Sequence, residues 1–422
     1  MSIVLINETI ITNIIKDYGT PIYIYSLNII EQQLDKLRDN LPEYFNIFYS
    51  MKANPNIGIL ANLKKSVNGI EVASLGELYT AMKSGYTSKE IIFVGPGKTH
   101  YELEYAIKEN ILSIVAESLE EIFIINKICE KYNTVMSISI RINPKAKMND
   151  ARIKMGGGAK QFGIDEELID FVIKESFKCK NIKINGIHFY LGTQVLNSTT
   201  LINNFENSFK ILDNLENNYK LNISLVDFGG GFGIPYFDGE YELDLSNVKE
   251  SLNLFIKKYI RDENIKNYKF IVESGRFILA NSGLYVTEVL YKKKSRGKTF
   301  IVVNGGSNHH SASAGIGRFL RNNFPIEVLN KENENRKEIV DIVGPLCTPT
   351  DVLGQNIELP HININDKIVI LNSGAYGLTS SFYGLISHGK PAEILVYNNK
   401  YYQIRKRDSL DDIFQNQIKV LV

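Results

Sequence analysis

The chain has no excess of either charge: 48 basic residues stand against 47 acidic ones in 422. It therefore carries no net field to draw in nucleic acid or an anionic membrane surface. It lacks any apolar run near the ~20 residues that a membrane-spanning helix needs. Residues 1–20 lack the basic stretch and apolar core of a signal peptide, and carry Glu8, Lys16 and Asp17 instead. Cysteine is scarce and odd in number. Cys129, Cys179 and Cys347 have no metal-ligand spacing and cannot complete a disulfide framework. The expectation is a cytoplasmic protein with neither nucleic acid nor membrane as partner.

What is present is an ordinary globular composition, 44% apolar and 23% charged, in a chain long enough for two domains. Strand-like runs fall at 46–51, 70–73, 91–94, 112–116, 136–142, 184–190, 225–228 and 270–273. Segments of helical periodicity lie between them, such as 76–83, 101–108, 119–130, 165–175 and 201–215. Eight β-then-α units are the number that closes a parallel (β/α)8 barrel; an open doubly wound sheet is the alternative. After residue 282 the runs become short and are punctuated by Gly, Pro and Asn, which reads as an antiparallel β domain. The boundaries expected are 28–282 for the barrel and 1–27 with 283–422 for the β domain, the run Pro21–Tyr25 adding a strand to the latter. Residues 145–163 are too polar and glycine-rich for a core element and read as a long, mobile loop.

The unusual residues sit where strand-like runs end. Lys52 closes the run 45–51 and precedes Ala53-Asn54-Pro55; it is either a solvated strand end or an amine for covalent chemistry. Asp227-Phe228-Gly229-Gly230-Gly231-Phe232-Gly233 follows the seventh run, and glycines there let backbone N–H groups approach an anion. The spacing fits neither the dinucleotide fingerprint nor a P-loop. Glu273-Ser274-Gly275-Arg276 closes the eighth run and brings a guanidinium to the end of the barrel where such folds bind phosphate. Glu273 either pairs with Arg276 or serves a ring nitrogen. His188 and Tyr190 share one face of the sixth run. Beyond residue 282, Cys347 lies between two prolines in a loop, and Tyr376 lies between glycines. The pair His309-His310 has no third ligand at sensible spacing, so no metal is expected. The basic run Lys292–Lys298 reads as a solvated hairpin turn.

In order along the chain stand YSMKAN, EVASLGEL, VGPGK, RINP, QFGI, GIHFYLGTQ, DFGGGFG, ESGR, GPLCTPTD and SGAYG. With these segments the chain resembles the fold-type III pyridoxal-phosphate decarboxylases, which include diaminopimelate and ornithine decarboxylases. The resemblance implies an alanine-racemase-type barrel, a C-terminal β domain, pyridoxal 5'-phosphate as cofactor, and a head-to-tail homodimer with shared active sites. By position, Lys52 would be the Schiff-base lysine, and Gly229, Gly230, Gly231, Gly275, Arg276 and Tyr376 would hold the phosphate or line its site. Glu273 would pair with the pyridine nitrogen. Glu71, Arg141, His188, Tyr190 and Thr193 would line the cofactor. Cys347, from the partner subunit, would return a proton to the substrate carbon.

Three departures from the family pattern bear on the substrate. Tyr190 stands where a second ring-stacking histidine is usual. Thr348 follows the cysteine, where both named decarboxylases have an acid for the substrate's distal ammonium. The usual arginine-rich loop is replaced by HHSASAGIGRFLRNNFP, leaving Arg318 and Arg321, with Thr348 and Tyr376, as candidate substrate contacts. These features resemble a smaller branch containing the butirosin-type decarboxylase of a carrier-protein-linked glutamyl group. The implied reaction is decarboxylation of an amino acid or aminoacyl group with a non-cationic distal end, with the basic run as a docking patch for an acidic carrier. Diaminopimelate decarboxylation and a non-catalytic cofactor-binding homologue are the alternatives, and a racemase shares the barrel.

Overall fold

Strands covered by helices on one face and by side chains on the other are buried throughout, so they appear in sequence as near-continuous apolar runs. In the computed structural model the described residues are 6–145, 153–154, 156–190, 192–219, 221–237, 239–260, 262–315, 322–331 and 333–421. All eight runs are strands. Labelling Ile22–Ser26 as β1, the eight are β2 (Phe45–Ser50), β3 (Gly69–Val72), β4 (Ile91–Phe93), β5 (Ser113–Ala116), β6 (Met136–Asn143), β7 (Ile182–Phe189), β8 (Leu225–Asp227) and β9 (Lys269–Ser274). Each pairs in parallel with the next, and β9 returns to β2 with Glu273 opposite Phe48, so the sheet closes. Closure removes the open-sheet alternative. Inside lie Phe48, Ile92, Val94, Val115, Leu225 and Ile271.

Several barrel helices begin where side-chain caps satisfy the first N–H groups. Ser74 accepts from Glu77 N, Thr99 and Glu102 form a reciprocal box, and Ser118 accepts from Glu121 N. The longest helix, Ser198–Tyr219, turns Leu201, Phe205, Phe209, Leu212 and Leu215 inward at helical spacing.

The chain divides into two compact units. One comprises Leu34–Pro235 with Tyr241–Phe277; the other comprises Met1–Gln33, Tyr236–Glu240 and Ile278–Val422. In the second, β1 pairs antiparallel with β10 (Gly283–Ser295) and parallel with a strand at Ala392–Tyr397. Its sheet is mostly antiparallel, with a second parallel pairing between Lys298–Val303 and Lys337–Val343. The core there joins Ile11 and Ile14 of the helix Glu8–Tyr18 to Ile22, Ile24, Leu284, Val286 and Ile394. The basic run is a hairpin: Lys294 faces Thr299 across a turn in which Arg296 and Gly297 have φ of 48° and 85°. No helix among the described residues is long and apolar enough to cross a membrane.

Candidate active site

Lys52 sits in the single turn Met51–Ala53 that ends β2, and its side chain is 36% exposed. Its Nζ lies 3.1 Å from Glu71 Oε1 and 5.2 Å from the centre of the Tyr190 ring. Glu71 is buried opposite Ser50 on β3, and the Ser50 hydroxyl donates to Oε2. Burial raises the Glu71 carboxyl above its ordinary range and the Lys52 ammonium pulls it back. The ion pair therefore holds one charge of each sign at the end of β2. Gly275, at the end of β9, is needed here. A Cβ would stand 2.7 Å from both Ser50 O and Ala53 Cβ, so glycine lets β9 close against the lysine turn.

Three neighbouring strands place Arg141, His188 and Asp227 side by side in register. Arg141 Nη1 donates to Glu117 Oε1 at 3.0 Å, and its guanidinium carbon lies 4.9 Å from the Phe162 ring centre and 5.9 Å from that of Tyr190. Glu117 also accepts from Gly95 N and Gly163 N at 3.0 Å each, so one carboxylate ties three strand ends to the arginine. His188 is fully buried. Burial first, then the Arg141 charge, holds its imidazole well below the ordinary range, so the ring is neutral. Its Nε2 shares a 3.2 Å hydrogen bond with Glu273 Oε1, while Nδ1 has no hydrogen-bond partner among the described residues.

The glycines after β8 are imposed by close packing as much as by any ligand. Gly229 has φ of 64°, and a Cβ there would collide with Phe189 O and the Tyr190 ring. A Cβ on Gly230 would collide with Glu273 O, and one on Gly231, with φ of 112°, would stand 3.0 Å from Gly192 O. Arg276 is half-buried at the start of the helix Arg276–Leu279. Thr193 pairs with Ile153, which anchors part of the 145–163 segment; residues 146–152 and 155 lie outside the described residues.

In the other unit, Cys347 is exposed on a loop tied to itself by Gly344 N to Asp351 O at 3.0 Å and Asp351 N to Thr348 O at 3.2 Å. Asp351, 3% exposed, accepts from Ser307 N at 2.6 Å and Leu346 N at 2.7 Å. The Thr348 hydroxyl shares a 3.0 Å hydrogen bond with that of Thr350. Tyr376 is half-buried in a turn with φ of 55°. The ring nitrogens of the histidine pair are engaged. His309 bonds Gly389 O and the Tyr285 hydroxyl; His310 bonds Ser373 Oγ and accepts from Ser313 N. Arg318 and Arg321 lie outside the described residues.

The barrel end thus brings together Lys52, Glu71, Arg141, His188, Tyr190 and Glu273. Sequence reasoning missed three residues. Asp227 and Glu117 are acids at or just after the ends of apolar runs, where the same rule that singled out Lys52 could have found them. Asp351 is the third; its signal is the pair Gly306 and Gly344, either of whose added Cβ would collide with it.

Residues 27–280 match the family described as pyridoxal-dependent decarboxylase, pyridoxal binding domain. The chain belongs to this family. It is 39% identical to the L-glutamyl-(BtrI acyl-carrier protein) decarboxylase of Niallia circulans, across 98% of this chain and 97% of the relative. It is 31% identical to the 2-((L-alanin-3-ylcarbamoyl)methyl)-2-hydroxybutanedioate decarboxylase of Staphylococcus aureus, across 90% and 94%. The crystal structure of diaminopimelate decarboxylase from Helicobacter pylori complexed with L-lysine superposes with a TM-score of 0.86 at 28% identity, covering 96% of this chain and 98% of that one. The protein is a pyridoxal-phosphate-dependent carboxy-lyase. The barrel end fits that cofactor on its own terms: a lysine amine, a buried acid whose Oε2 lacks a donor among the described residues, and close-packed glycine backbone beside it.

Proposed function

We propose that this decarboxylase acts on an α-amino acid or aminoacyl group whose distal end carries no positive charge, with a glutamyl group on an acyl carrier protein as the leading candidate. The observation that carries this reading is the loop around Cys347. The resemblance puts an acid directly after the cysteine; here the residue is Thr348, its hydroxyl bonded to Thr350. The next acid, Asp351, is buried with both oxygens committed to backbone donors. A distal ammonium on this loop would lack a counter-charge, at a cost of several kcal/mol. Two of the curated relatives act, by their names, on a carrier-linked glutamyl group and on an amide-linked side chain, while others at 31% identity are diaminopimelate decarboxylases. Both substrates carry a neutral linkage where diaminopimelate carries an amine.

Pyridoxal phosphate supplies an electron-poor ring that accepts the electron pair left as CO₂ departs. In this reading the Lys52 amine would hold the cofactor, with Glu71 Oε1 3.1 Å away to keep its proton in reach. Glu273 keeps a proton on the ring nitrogen, and Tyr190 offers an aromatic face. Gly229, Gly230, Gly231, Gly275, Arg276 and Tyr376 hold the phosphate; Thr193 and Arg141 order its surroundings. Cys347 delivers a proton to the substrate carbon from the partner subunit of a cytoplasmic homodimer with shared sites. Arg318 and Arg321 remain candidates for anionic parts of the substrate. The barrel and β-domain boundaries proposed are those at residues 27/28 and 282/283.

The test is CO₂ release from glutamyl-carrier protein, free glutamate, diaminopimelate, ornithine and lysine side by side. Preference for the carrier-linked or uncharged-end substrates is expected. Efficient turnover of diaminopimelate would overturn the reading of Thr348.

A further inference from the structure

Charges at the barrel end do not balance by pairs. Lys52 holds Glu71 and Arg141 holds Glu117, each within 3.1 Å. These are the two cations that act on Glu273, and each already has its carboxylate. Asp227 and Glu273 are left over, at 0% and 2% exposure, beside a neutral His188. Acceptor atoms of Asp227, His188 and Glu273 lie within 4.8 Å of one another. Asp227 accepts from Gly229 N at 2.8 Å through Oδ1, and Glu273 accepts from His188 through Oε1. The remaining oxygens, Asp227 Oδ2 and Glu273 Oε2, are both buried and lack a donor among the described residues.

Two unneutralised carboxylates at this separation, out of water, do not both stay ionised; one takes a proton. We propose that Asp227 holds that proton, donates it to Glu273 Oε2, and so fixes Glu273 as the single buried anion presented to the cofactor. Asp227 is the donor because its other oxygen has only one backbone N–H. Glu273 instead has the His188 donor, with Lys52 and Arg141 acting on it. Burial, and next the charge of Glu273, push the Asp227 carboxyl well above its ordinary range; Glu71 adds to the push. Burial raises the Glu273 carboxyl as well, but there Lys52 and then Arg141 draw it back toward ionisation. A carboxylate has about four acceptor sites, so Glu273 can serve His188, Asp227 and a ring N–H together. Asp227 is therefore a positioning residue. The shared proton stands without the cofactor; only its consequence for the ring nitrogen rests on the function proposed above.

The experiment is infrared difference spectroscopy of the full chain near pH 7, with the cofactor and after its removal, on wild type, Asp227→Asn and Glu273→Gln. Wild type should show a protonated-carboxyl C=O band, separate from that of Glu77, that both substitutions remove: Asp227→Asn takes away the acid that carries the proton, and Glu273→Gln takes away the neighbouring charge that holds it there. Cofactor affinity separates donor from acceptor. Asp227→Asn still donates and should stay within about tenfold, whereas Asp227→Ala should weaken affinity about ten- to a hundredfold, the worth of a hydrogen bond to a charged group. Spectra in which neither substitution removes a protonated-carboxyl band overturn the proposal. Equal affinities for the Asn and Ala variants overturn the donor assignment. Should Asp227→Asn fail to fold, the Glu273→Gln spectrum decides alone. A wild type that never takes up the cofactor refutes the cofactor reading, and the cofactor-free spectra still decide the proton.

Discussion

The barrel end and the Cys347 loop solve opposite problems. At the barrel end, ionisable side chains stand on adjacent strands whose register fixes them: two ion pairs, Lys52 with Glu71 and Arg141 with Glu117, beside the buried acids Asp227 and Glu273. On the loop, one buried acid ties the backbone while Cys347 is left exposed and Thr348 and Thr350 bond each other. Removing Lys52 or either member of the Arg141–Glu117 pair leaves a buried charge unpaired, which is strongly destabilising. Changing Thr348 disturbs one hydroxyl pair. The chemistry is thus built where substitution is costly, and the selectivity where it is cheap.

The largest effect expected is at the barrel: Lys52→Ala should abolish the cofactor's visible absorption and lower CO₂ release by several orders of magnitude. A variant that still turned yellow on adding the cofactor would remove Lys52 from its role. Cys347→Ala should keep the absorption but slow turnover by about 10²–10⁴, the usual worth of a positioned proton donor; unchanged rate and product would acquit the thiol. Asp351→Ala leaves Ser307 N and Leu346 N unsatisfied at about 1–3 kcal/mol each. Its melting temperature should fall, with Asp351→Asn milder because its carbonyl still accepts one bond. Thr348→Glu should cost little stability and raise turnover of diaminopimelate relative to the glutamyl substrate; no change in that ratio would break the contrast between fixed site and tunable loop.

The smallest effect is a pH slope. Burial raises the Glu77 carboxyl to about 7. For an acid with a raised folded pKa, the stabilising contribution is complete below its ordinary value near 4.5 and is lost as pH rises through about 7. Glu77→Gln should flatten stability across that window, its carbonyl still accepting from Ala73 N. Denaturation midpoints at pH 5 and pH 8, compared between the two proteins, would check the sign.

The barrel was legible because its strands are buried on both faces and read as apolar runs, with Lys52 and Glu273 breaking the pattern where strands end. Strands of the other unit were less so. Val352–Pro360 carries Gln355 and Asn356 mid-strand, Lys400–Arg405 is half-exposed, and Ile326–Val328 is too short to show a period. Asp227 was hidden by the glycines after it, which explain themselves as a turn. Its partnership with Glu273 joins strands whose pairing only the closed sheet reveals. Asp351 was visible as an acid after the cysteine, but its partners Ser307 and Leu346 belong to two loops that no sequence spacing connects.

The most direct measurement is the ratio of kcat/KM for a glutamyl-carrier protein to that for diaminopimelate, taken on one preparation of cofactor-loaded enzyme. The account predicts a ratio well above one, falling toward or below one in Thr348→Glu. A wild-type ratio below one, unmoved by that substitution, would contradict it.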